Sequence, residues 1–565
     1  MNLLENIKEL EVIHNIKLRP QQEQIIKFVL YQWLHKGQKN VFIEAPTGSG
    51  KSFITFFISE IMNKLRKDGY ILTSDISLQN QYTYDSKRYK FYRPDVKGVD
   101  NYLCTENGKP YSQGSCKQRH LDTMRQKRLK CYESCPYIKA RTLASESDTC
   151  ILNYNYFLLM HNYVRKNIGE FAPFKIREFT IYDEAHKIID IVQDLYAPVL
   201  SKSIYDTIET FEYELSKNEH ILGTTHKFSK KFYDIFTGLR LSQDKRFTMS
   251  LFKELYDLLN WYKTEIKGPL EDWISDEFDR ENFKVFDSLY LLEFVKIIDD
   301  FYCKIEDYID LIEHTGLDTM FINNQEEFSK YNFINEHFLI KKNLLDNSKL
   351  NLFMSATLGE EFPLMMGCKD YVYKSIDSDF NFDKSPIYVY KNFYVNYSNR
   401  EYLFPQMLEE LDNIISKEHL SERGLIHTAS YINTKYIKDN SIHKNRLINY
   451  ENSTEKELAI DTMKKANFIL MGPSLIEGID LKDDWSRFQV IFKIPYPSLA
   501  DRFVKYKFEK NRTWYNWATK IKIQQSIGRS IRHKDDFAVS YILDSNFLKI
   551  IPTLPNYIKN RIQYR

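Results

Sequence analysis

NVFIEAPTGSGKSFITFFISEIMNKLRK, residues 40–67, carries the clearest structural signal in the sequence. It begins with the short β-prone run NVFIEA, continues through the polar loop PTGSGKS, and ends in apolar residues at helical spacing. A strand, a glycine-rich loop and a helix in this order form a phosphate-binding unit, because loop amides and the positive end of the helix attract anionic oxygens. The sequence therefore predicts an α/β fold with a nucleotide site.

The loop carries the residue types that such a site needs. Gly48 and Gly50 let backbone amides approach phosphate oxygens. Lys51 is expected to reach the β- and γ-phosphates, and Ser52 is expected to hold Mg²⁺. Ala45 stands where the strict pattern has its first glycine, which removes no catalytic group. The residues that we expect to contact the nucleotide and its metal ion are Ala45, Pro46, Thr47, Gly48, Ser49, Gly50, Lys51 and Ser52.

Further short apolar runs, each ending in polar residues, predict the other strands of two parallel sheets. YILTSD, DTCILN, FTIYDEAH and NLFMSAT begin at residues 70, 148, 179 and 351, and we assign them to a first lobe. GLIHTAS, NFILMGPS, FQVIFKI and AVSYILD begin at residues 424, 467, 488 and 538, and we assign them to a second lobe. Between them, aromatic-rich patterns at helical spacing predict an inserted helical domain.

An acidic pair follows one of the predicted strands, in IYDEAH. Asp183 is placed to bind Mg²⁺, and Glu184 is placed to polarise the attacking water. Adjacent carboxylates alone are often a surface pair, but here they stand downstream of a phosphate-binding loop. His186 is then a candidate for linking the γ-phosphate to the SAT segment at residues 355–357.

Two arginines near the C-terminus, in QSIGRSIR, lie three residues apart and share one helix face. Arg529 and Arg532 could neutralise charge that develops on a transferred phosphoryl group. A solvated basic helix is the plainer interpretation of the same segment. Gln525 begins the segment and is included among the candidate nucleotide residues.

Composition excludes several protein classes. Charged residues make up 28% and hydrophobic residues 43% of the 565 residues, and no run of about 18 apolar residues predicts a membrane span. The N-terminus lacks the pattern of a signal peptide. The formal net charge of +2 neither demands nor excludes a nucleic-acid partner. We expect a cytoplasmic protein with reduced cysteines and no membrane partner, and the abundance of Asn, Ile, Lys and Tyr indicates a bacterial cell or phage-infected host.

Four of the seven cysteines lie between the phosphate-binding loop and the acidic pair, spaced C-x11-C-x14-C-x3-C. Four thiolates are a complete ligand set for a [4Fe-4S] cluster or for zinc, and the spacing does not choose between them. The candidate ligands are Cys104, Cys116, Cys131 and Cys135. The other three cysteines, in apolar or helical surroundings, are interpreted as core residues, namely Cys150, Cys303 and Cys368.

The order of these motifs resembles that of the superfamily 2 helicases, specifically the DinG/XPD group of iron-sulfur helicases, over most of the chain. RPQQ at residues 19–22 looks like the adenine-reading motif, with Gln22 the better candidate and Gln21 the alternative. LTSDISLQNQ from residue 72 looks like a segment that touches the DNA backbone. Asp75 departs from that interpretation, because a carboxylate is unfavourable beside phosphate. Segments resembling the second-lobe motifs are LIHTASY, IEGIDL, IPYPSLADR and YILDSNF, from residues 425, 476, 494 and 541.

The resemblance implies two RecA-like lobes that clamp ATP and Mg²⁺, with Gly478 and Asp480 completing the clamp. It also implies a [4Fe-4S] cluster on the four cysteines and a DNA helicase that moves 5′ to 3′ on single-stranded and forked duplex DNA. We expect a monomer, with possible loading, replication or repair partners. The expected limits are residues 1–95, 146–200 and 346–385 for the first lobe, 96–145 for the iron-sulfur module, 201–345 for the helical arch-like insertion and 386–565 for the second lobe.

Two other functions fit parts of the sequence. An RNA helicase would carry similar motor motifs, because these motifs contact backbone more than base. A scaffold subunit of a repair or replication complex could retain the fold with little unwinding activity of its own. Intact Lys51, Asp183, Glu184 and Arg532 argue against the scaffold, and the cysteines argue against the RNA helicase.

Overall fold

The chain forms two parallel sheets with an inserted helical segment. The computed structural model describes residues 3–115, 130–164, 173–216, 223–267, 285–377, 382–473, 475, 483–528 and 536–565. Within these ranges, no helix is long and apolar enough to cross a membrane. The predicted fold class, an α/β protein with two RecA-like parallel-sheet lobes, is confirmed.

The first sheet has six parallel strands in the spatial order β3, β2, β4, β8, β1, β9. Every residue of β1, β2 and β3 is buried, because helices cover both faces of a parallel sheet. Five of the six strands come from the predicted apolar runs, and β9 was not predicted. The bounds are β1 Asn40–Glu44, β2 Gly69–Thr73, β3 Thr149–Asn153, β4 Arg177–Asp183, β8 Ser348–Ser355 and β9 Val372–Ser375.

The second sheet has seven parallel strands in the order β12, β13, β11, β14, β15, β10, β16. The four predicted runs form β11, β13, β14 and β15 in its centre, and the edges are completed by strands that the sequence did not predict. The bounds are β10 Ile387–Phe393, β11 Gly424–His427, β12 Leu447–Ile448, β13 Ile469–Gly472, β14 Phe488–Ile491, β15 Val539–Asp544 and β16 Ile562–Tyr564.

The inserted segment is mainly helical but also contains strands. A small antiparallel sheet, ordered β5, β7, β6, closes the base of the insertion, and the helical pattern did not predict it. Its bounds are β5 Val199–Ser201, β6 Met320–Asn324 and β7 Phe328–Phe333. The domain limits given above stay predictions.

Helices cover the faces of both sheets and make up the insertion. The helices of the first lobe and the insertion are Leu3–His14, Pro20–Leu34, Lys51–Lys64, Ile76–Arg88, Lys130–Ser134, Pro136–Glu146, Tyr154–Leu158, Ile188–Tyr196, Lys202–Ser216, Gly223–Leu241, Lys245–Trp261, Val285–Thr315, Glu336–Asn343 and Phe362–Met365. Those of the second lobe are Arg400–Glu418, Tyr431–Asn440, Ser453–Lys465, Arg502–Lys510, Arg512–Ile527 and Asn556–Lys559.

One second-lobe helix is shared between the cores of the two lobes. The helix Arg512–Ile527 places Trp514, Tyr515, Trp517 and Ile521 in the apolar cluster that also holds first-lobe residues such as Phe42. Ile523 and Ile527, on the same helix, pack in a second-lobe cluster instead. This helix therefore fixes the second lobe against the first.

Candidate nucleotide site between the lobes

The phosphate-binding loop joins the end of β1 to the helix Lys51–Lys64. Gly48 and Gly50 have φ angles of 78° and 75°, in the left-handed region that favours glycine. Space also requires glycine at residue 50, because an added Cβ would lie 2.2 Å from Nε2 of Gln22. Ala45 fits without strain, and its N–H donates to the carbonyl oxygen of Ser355 at 2.9 Å.

Two side chains from the start of the helix Pro20–Leu34 hold this loop. Nε2 of Gln22 donates to the carbonyl oxygen of Ser49 at 2.9 Å, and Nη2 of Arg19 donates to that of Gly48 at 2.7 Å. The backbone N–H of Arg19 donates in turn to Oε1 of Gln22 at 2.9 Å, which fixes the amide orientation. Gln22, the expected adenine reader, thus lies directly against the loop.

The acidic pair lies at the end of β4, opposite the loop lysine. Nζ of Lys51 is 3.4 Å from Oε1 of Glu184. Asp183 is buried, and burial raises the pKa of its carboxyl to about 6, although Lys51 acts in the opposite direction. Burial would also raise the pKa of Glu184, but the charges of Lys51 and His186 hold it well below its ordinary value. Glu184 is therefore a carboxylate at neutral pH.

Two tyrosines that sequence reasoning missed fix Asp183. The hydroxyl of Tyr82 donates to Oδ2 of Asp183, and that of Tyr154 donates to its carbonyl oxygen, both at 2.8 Å. Oγ of Ser52 is 3.5 Å from Oδ2 of Asp85, on the same helix as Tyr82. Tyr82 and Asp85 lie three residues apart on one face of the helix Ile76–Arg88, and this spacing was the signal that the sequence offered. Ser52 and Asp183 offer the hard oxygen ligands that Mg²⁺ prefers.

A polar chain runs from the acidic pair to the second lobe. Oγ of Ser355, at the end of β8, donates to Oε2 of Glu184 at 3.0 Å and lies 2.8 Å from Nδ1 of His186. Nε2 of His186 is 2.8 Å from Nε2 of Gln525, on the helix Arg512–Ile527. The structure therefore brings together the loop, the DEAH segment, the SAT segment and the start of QSIGRSIR.

The same helix reaches the phosphate-binding loop at its end. A Cβ added to Gly528 would lie 3.4 Å from Oγ1 of Thr47, so the side chain of Thr47 lies near the backbone of Gly528. The next candidate residues fall outside the described part of the chain, and their predicted roles are untested. These residues are Arg529, Arg532, Gly478 and Asp480.

The cysteine module is described at three of its four candidate ligands. Cys104 and Cys135 are buried, Cys131 is half-buried, and Cys116 lies outside the described residues. The segments next to Cys104 and Cys135 meet where Oγ1 of Thr105 lies 3.1 Å from Oγ of Ser134. Within the residues that the structure covers, no three His, Cys, Asp or Glu side chains are grouped so as to hold a metal ion.

Two of the remaining cysteines are core residues, as expected. Cys150 and Cys368 are buried, and burial raises the pKa of their thiols to about 11 and about 12. The side chain of Cys303 lies outside the described part.

Comparison with known proteins gives consistent matches. A family model described as "Helicase C-terminal domain" matches residues 411–562, and one described as "Type III restriction enzyme, res subunit" matches residues 15–225. The chain is 23% identical over 487 residues to "ATP-dependent DNA helicase CHL1" of Kluyveromyces lactis, covering 76% of this chain and 59% of that protein. It is 31% identical over 103 residues to "Regulator of telomere elongation helicase 1 homolog" of Caenorhabditis elegans, covering 15% and 10%. The chain thus spans less than two thirds of these relatives.

Two solved structures share the fold. "Structure of S. tokodaii Xpd4" has a TM-score of 0.59 at 15% identity, and "XPD_Helicase" has 0.59 at 16% identity. Each alignment covers 97% of this chain and all of the other. The curated relatives named above are eukaryotic, so a bacterial or phage origin stays a compositional prediction.

Proposed function

We propose that this chain is an XPD/DinG-type helicase of superfamily 2, which hydrolyses ATP between its two lobes to move along single-stranded DNA and unwind duplexes. The observation that carries the proposal is the 3.4 Å distance between Nζ of Lys51 and Oε1 of Glu184. Beside this pair, Gln525 of the second lobe contacts His186. DNA as the substrate rests on the similarity to the ATP-dependent DNA helicase CHL1 of Kluyveromyces lactis and on the sequence resemblance.

Each protein group in the cleft has a distinct task in this proposal. Lys51 and the loop amides neutralise phosphate charge, and the oxygens of Ser52 and Asp183 would hold Mg²⁺, which supplies further charge neutralisation when bound. Glu184 accepts a proton from, or orients, the attacking water. It can do so only as a carboxylate, and this is the form that Lys51 and His186 favour.

The second lobe completes the site. Gln525 contacts His186, and we assign charge neutralisation during phosphoryl transfer to Arg529 and Arg532, with Gly478 and Asp480 as further clamp residues. A site divided between two lobes links hydrolysis to their separation, because nucleotide and products make different contacts in the open and closed states. The lobes can then grip the DNA backbone alternately.

ATP turnover with and without single-stranded DNA tests the motor. We expect DNA to stimulate turnover in the wild type, and Lys51→Ala to lose nucleotide binding and turnover together. Glu184→Gln should bind nucleotide normally and lose turnover, because it keeps the shape of the side chain and removes the base. A wild type without turnover would favour the scaffold function instead.

Strand displacement tests substrate and direction. Matched DNA and RNA duplexes with a single 5′ or 3′ tail give four measurements on one protein. We propose 5′ to 3′ movement, so the DNA duplex with a 5′ tail should be unwound fastest. Preference for the RNA duplex would establish the alternative substrate, and preference for the 3′ tail would reverse the direction. Native mass measurement tests the proposed monomer.

We also propose that Cys104, Cys116, Cys131 and Cys135 hold a [4Fe-4S] cluster. The donor chemistry and the burial of Cys104 and Cys135 fit such a group, and Gly114 leaves room beside Cys104, where an added Cβ would lie 3.4 Å from Sγ. The cluster would pin this module to the first lobe. Anaerobically purified protein should absorb broadly near 400 nm and contain iron, and Cys135→Ser should lose both signals. A colourless protein that contains zinc would refute the assignment.

A further inference from the structure

A buried carboxylate that the hydrolysis scheme does not use stands directly before the phosphate-binding loop. Glu44 is the last residue of β1, is 1% exposed, and precedes Ala45. Its Oε2 accepts three hydrogen bonds: from the backbone N–H of Leu358 at 3.0 Å, from that of Gly359 at 2.7 Å, and from the hydroxyl of Tyr373 at 2.9 Å. A buried charge is costly unless it is paired in this way, so the arrangement is specific.

The segment that Glu44 holds is also the one that the second lobe grips. The carbonyl oxygen of Leu358 accepts a hydrogen bond from Nε1 of Trp517 at 2.6 Å. Nζ of Lys520 donates to both carboxylate oxygens of Glu361 at 2.6 Å. Trp517 and Lys520 are one turn apart on the helix Arg512–Ile527, which also carries Gln525.

Gly359 permits this close arrangement. Its φ angle is 77°, and an added Cβ would lie 2.5 Å from Nζ of Lys520. The backbone of this one residue therefore lies between the carboxylate of Glu44 on one side and the ammonium of Lys520 on the other. Residues 358–361 therefore contact both β1, which precedes the phosphate-binding loop, and the second-lobe helix Arg512–Ile527.

We propose that Glu44 is a positioning residue that transmits the state of the nucleotide site to the second lobe through Leu358 and Gly359. The proposal rests on the proposed function and adds to it a second link between the lobes, separate from the contact of His186 with Gln525. Movement of the phosphate-binding loop displaces Glu44, because the two are consecutive in the chain. The displacement of Glu44 then moves Leu358, whose carbonyl oxygen accepts the hydrogen bond from Trp517.

Three variants test separately the hydrogen bonds of Glu44, its charge, and the hydrogen bond of Trp517. Glu44→Ala removes the acceptor for all three donors, whereas Glu44→Gln retains one oxygen that can accept all of them. Trp517→Phe removes the indole N–H and part of the ring system that stacks on Phe362 at 5.6 Å, and keeps one aromatic ring there. Trp514→Phe, on the same helix, is the matched control, because it makes the same loss of indole at a ring whose centre lies 4.3 Å from Nζ of Lys507, whereas it is Trp517 that donates to Leu358.

The measurements are nucleotide affinity, DNA-stimulated turnover, and nucleotides translocated per ATP. We expect Glu44→Ala and Trp517→Phe to bind nucleotide like the wild type and to lose about tenfold in stimulated kcat, the effect of about one hydrogen bond made in the reacting state. Translocation per ATP should fall as well. Glu44→Gln should restore most of both losses, and Trp514→Phe should resemble the wild type. Hydrogen exchange at the amides of Leu358 and Gly359 should be faster in Glu44→Ala.

Each other outcome overturns the proposal. If Glu44→Ala binds nucleotide more weakly in proportion to its lost turnover, Glu44 only supports the loop. If Trp517→Phe behaves like Trp514→Phe, the link through Leu358 is not used; this comparison also decides the question if Glu44→Ala does not fold. A wild type without DNA-stimulated turnover would instead refute the proposed function, so the two failures are distinguishable.

Discussion

Arg177 is a buried cation whose loss should weaken the attachment of the cysteine module to the first lobe. It begins β4, is 4% exposed, and lies 4.4 Å from the ring centre of Tyr70. Its guanidinium donates to the carbonyl oxygens of Gly69 at 2.8 Å and of Ala144 and Ser145 at 3.1 Å. Ala144 and Ser145 lie in the last turn of the helix Pro136–Glu146, which directly follows Cys135.

The expected magnitude follows from how many acceptors water can reach. Arg177→Met keeps an unbranched chain against Tyr70 but removes one donor from each of three carbonyls, of which that of Ala144 keeps the hydroxyl of Ser147 at 3.0 Å. Ser145 is half-buried and can be hydrated, whereas Gly69 and Ala144 are buried. The buried carbonyl of Gly69 is then the main loss, and at about 1–3 kcal/mol for one buried group that loses its partner, the free energy of unfolding falls by about the same amount.

Urea unfolding followed by circular dichroism measures this loss, and hydrogen exchange should locate it in β2 and the helix Pro136–Glu146. Lys349→Met is the matched control, because Lys349 is exposed and pairs with Glu178, the neighbour of Arg177. Exposed pairs contribute little. An Arg177→Met variant as stable as Lys349→Met would show that water satisfies the carbonyls and would refute the reasoning.

Three further predictions test the site and the second sheet. Gly50→Ala should abolish nucleotide binding, whereas Gly37→Ala, with a similar positive φ but open space around it, should bind nucleotide normally. Gln525→Ala should lower DNA-stimulated kcat about tenfold with unchanged nucleotide affinity, because it removes one contact across the cleft; an equal loss of affinity would contradict this role. The pKa of Glu418 is held below its ordinary 4.5 chiefly by Arg565, so this pair stabilises the fold above pH 4.5 and loses its effect as the pH falls through the lowered pKa. Arg565→Gln should therefore reduce the acid sensitivity of unfolding in that range, and an unchanged pH profile would exclude the pair as its cause.

Sequence patterns were enough to predict the parts of the site whose residues are close together in the chain. The phosphate-binding loop is readable because its glycines, lysine and serine are consecutive, and the acidic pair because it ends an apolar strand. The central strands were predicted because short apolar runs bounded by polar residues are typical of buried strands in an α/β protein. The strand β10, the edge strands β9, β12 and β16 and the small antiparallel sheet were not predicted. The three edge strands are short and partly exposed, and such strands depend on their neighbours for pairing.

Only the folded structure shows which side chains from distant parts of the chain contact the site residues or the segments next to them. Asp75, which seemed unsuited to a phosphate contact, caps the helix Ile76–Arg88 by accepting from the N–H of Leu78 at 2.9 Å. Tyr82 meets Asp183 from that helix, and Trp517 meets the segment held by Glu44 from the other lobe. Such contacts leave no local pattern, because tyrosine and tryptophan at helical spacing also fill ordinary cores. The sequence therefore identifies the groups proposed to act on ATP, and the packing of the two lobes decides which residues orient them.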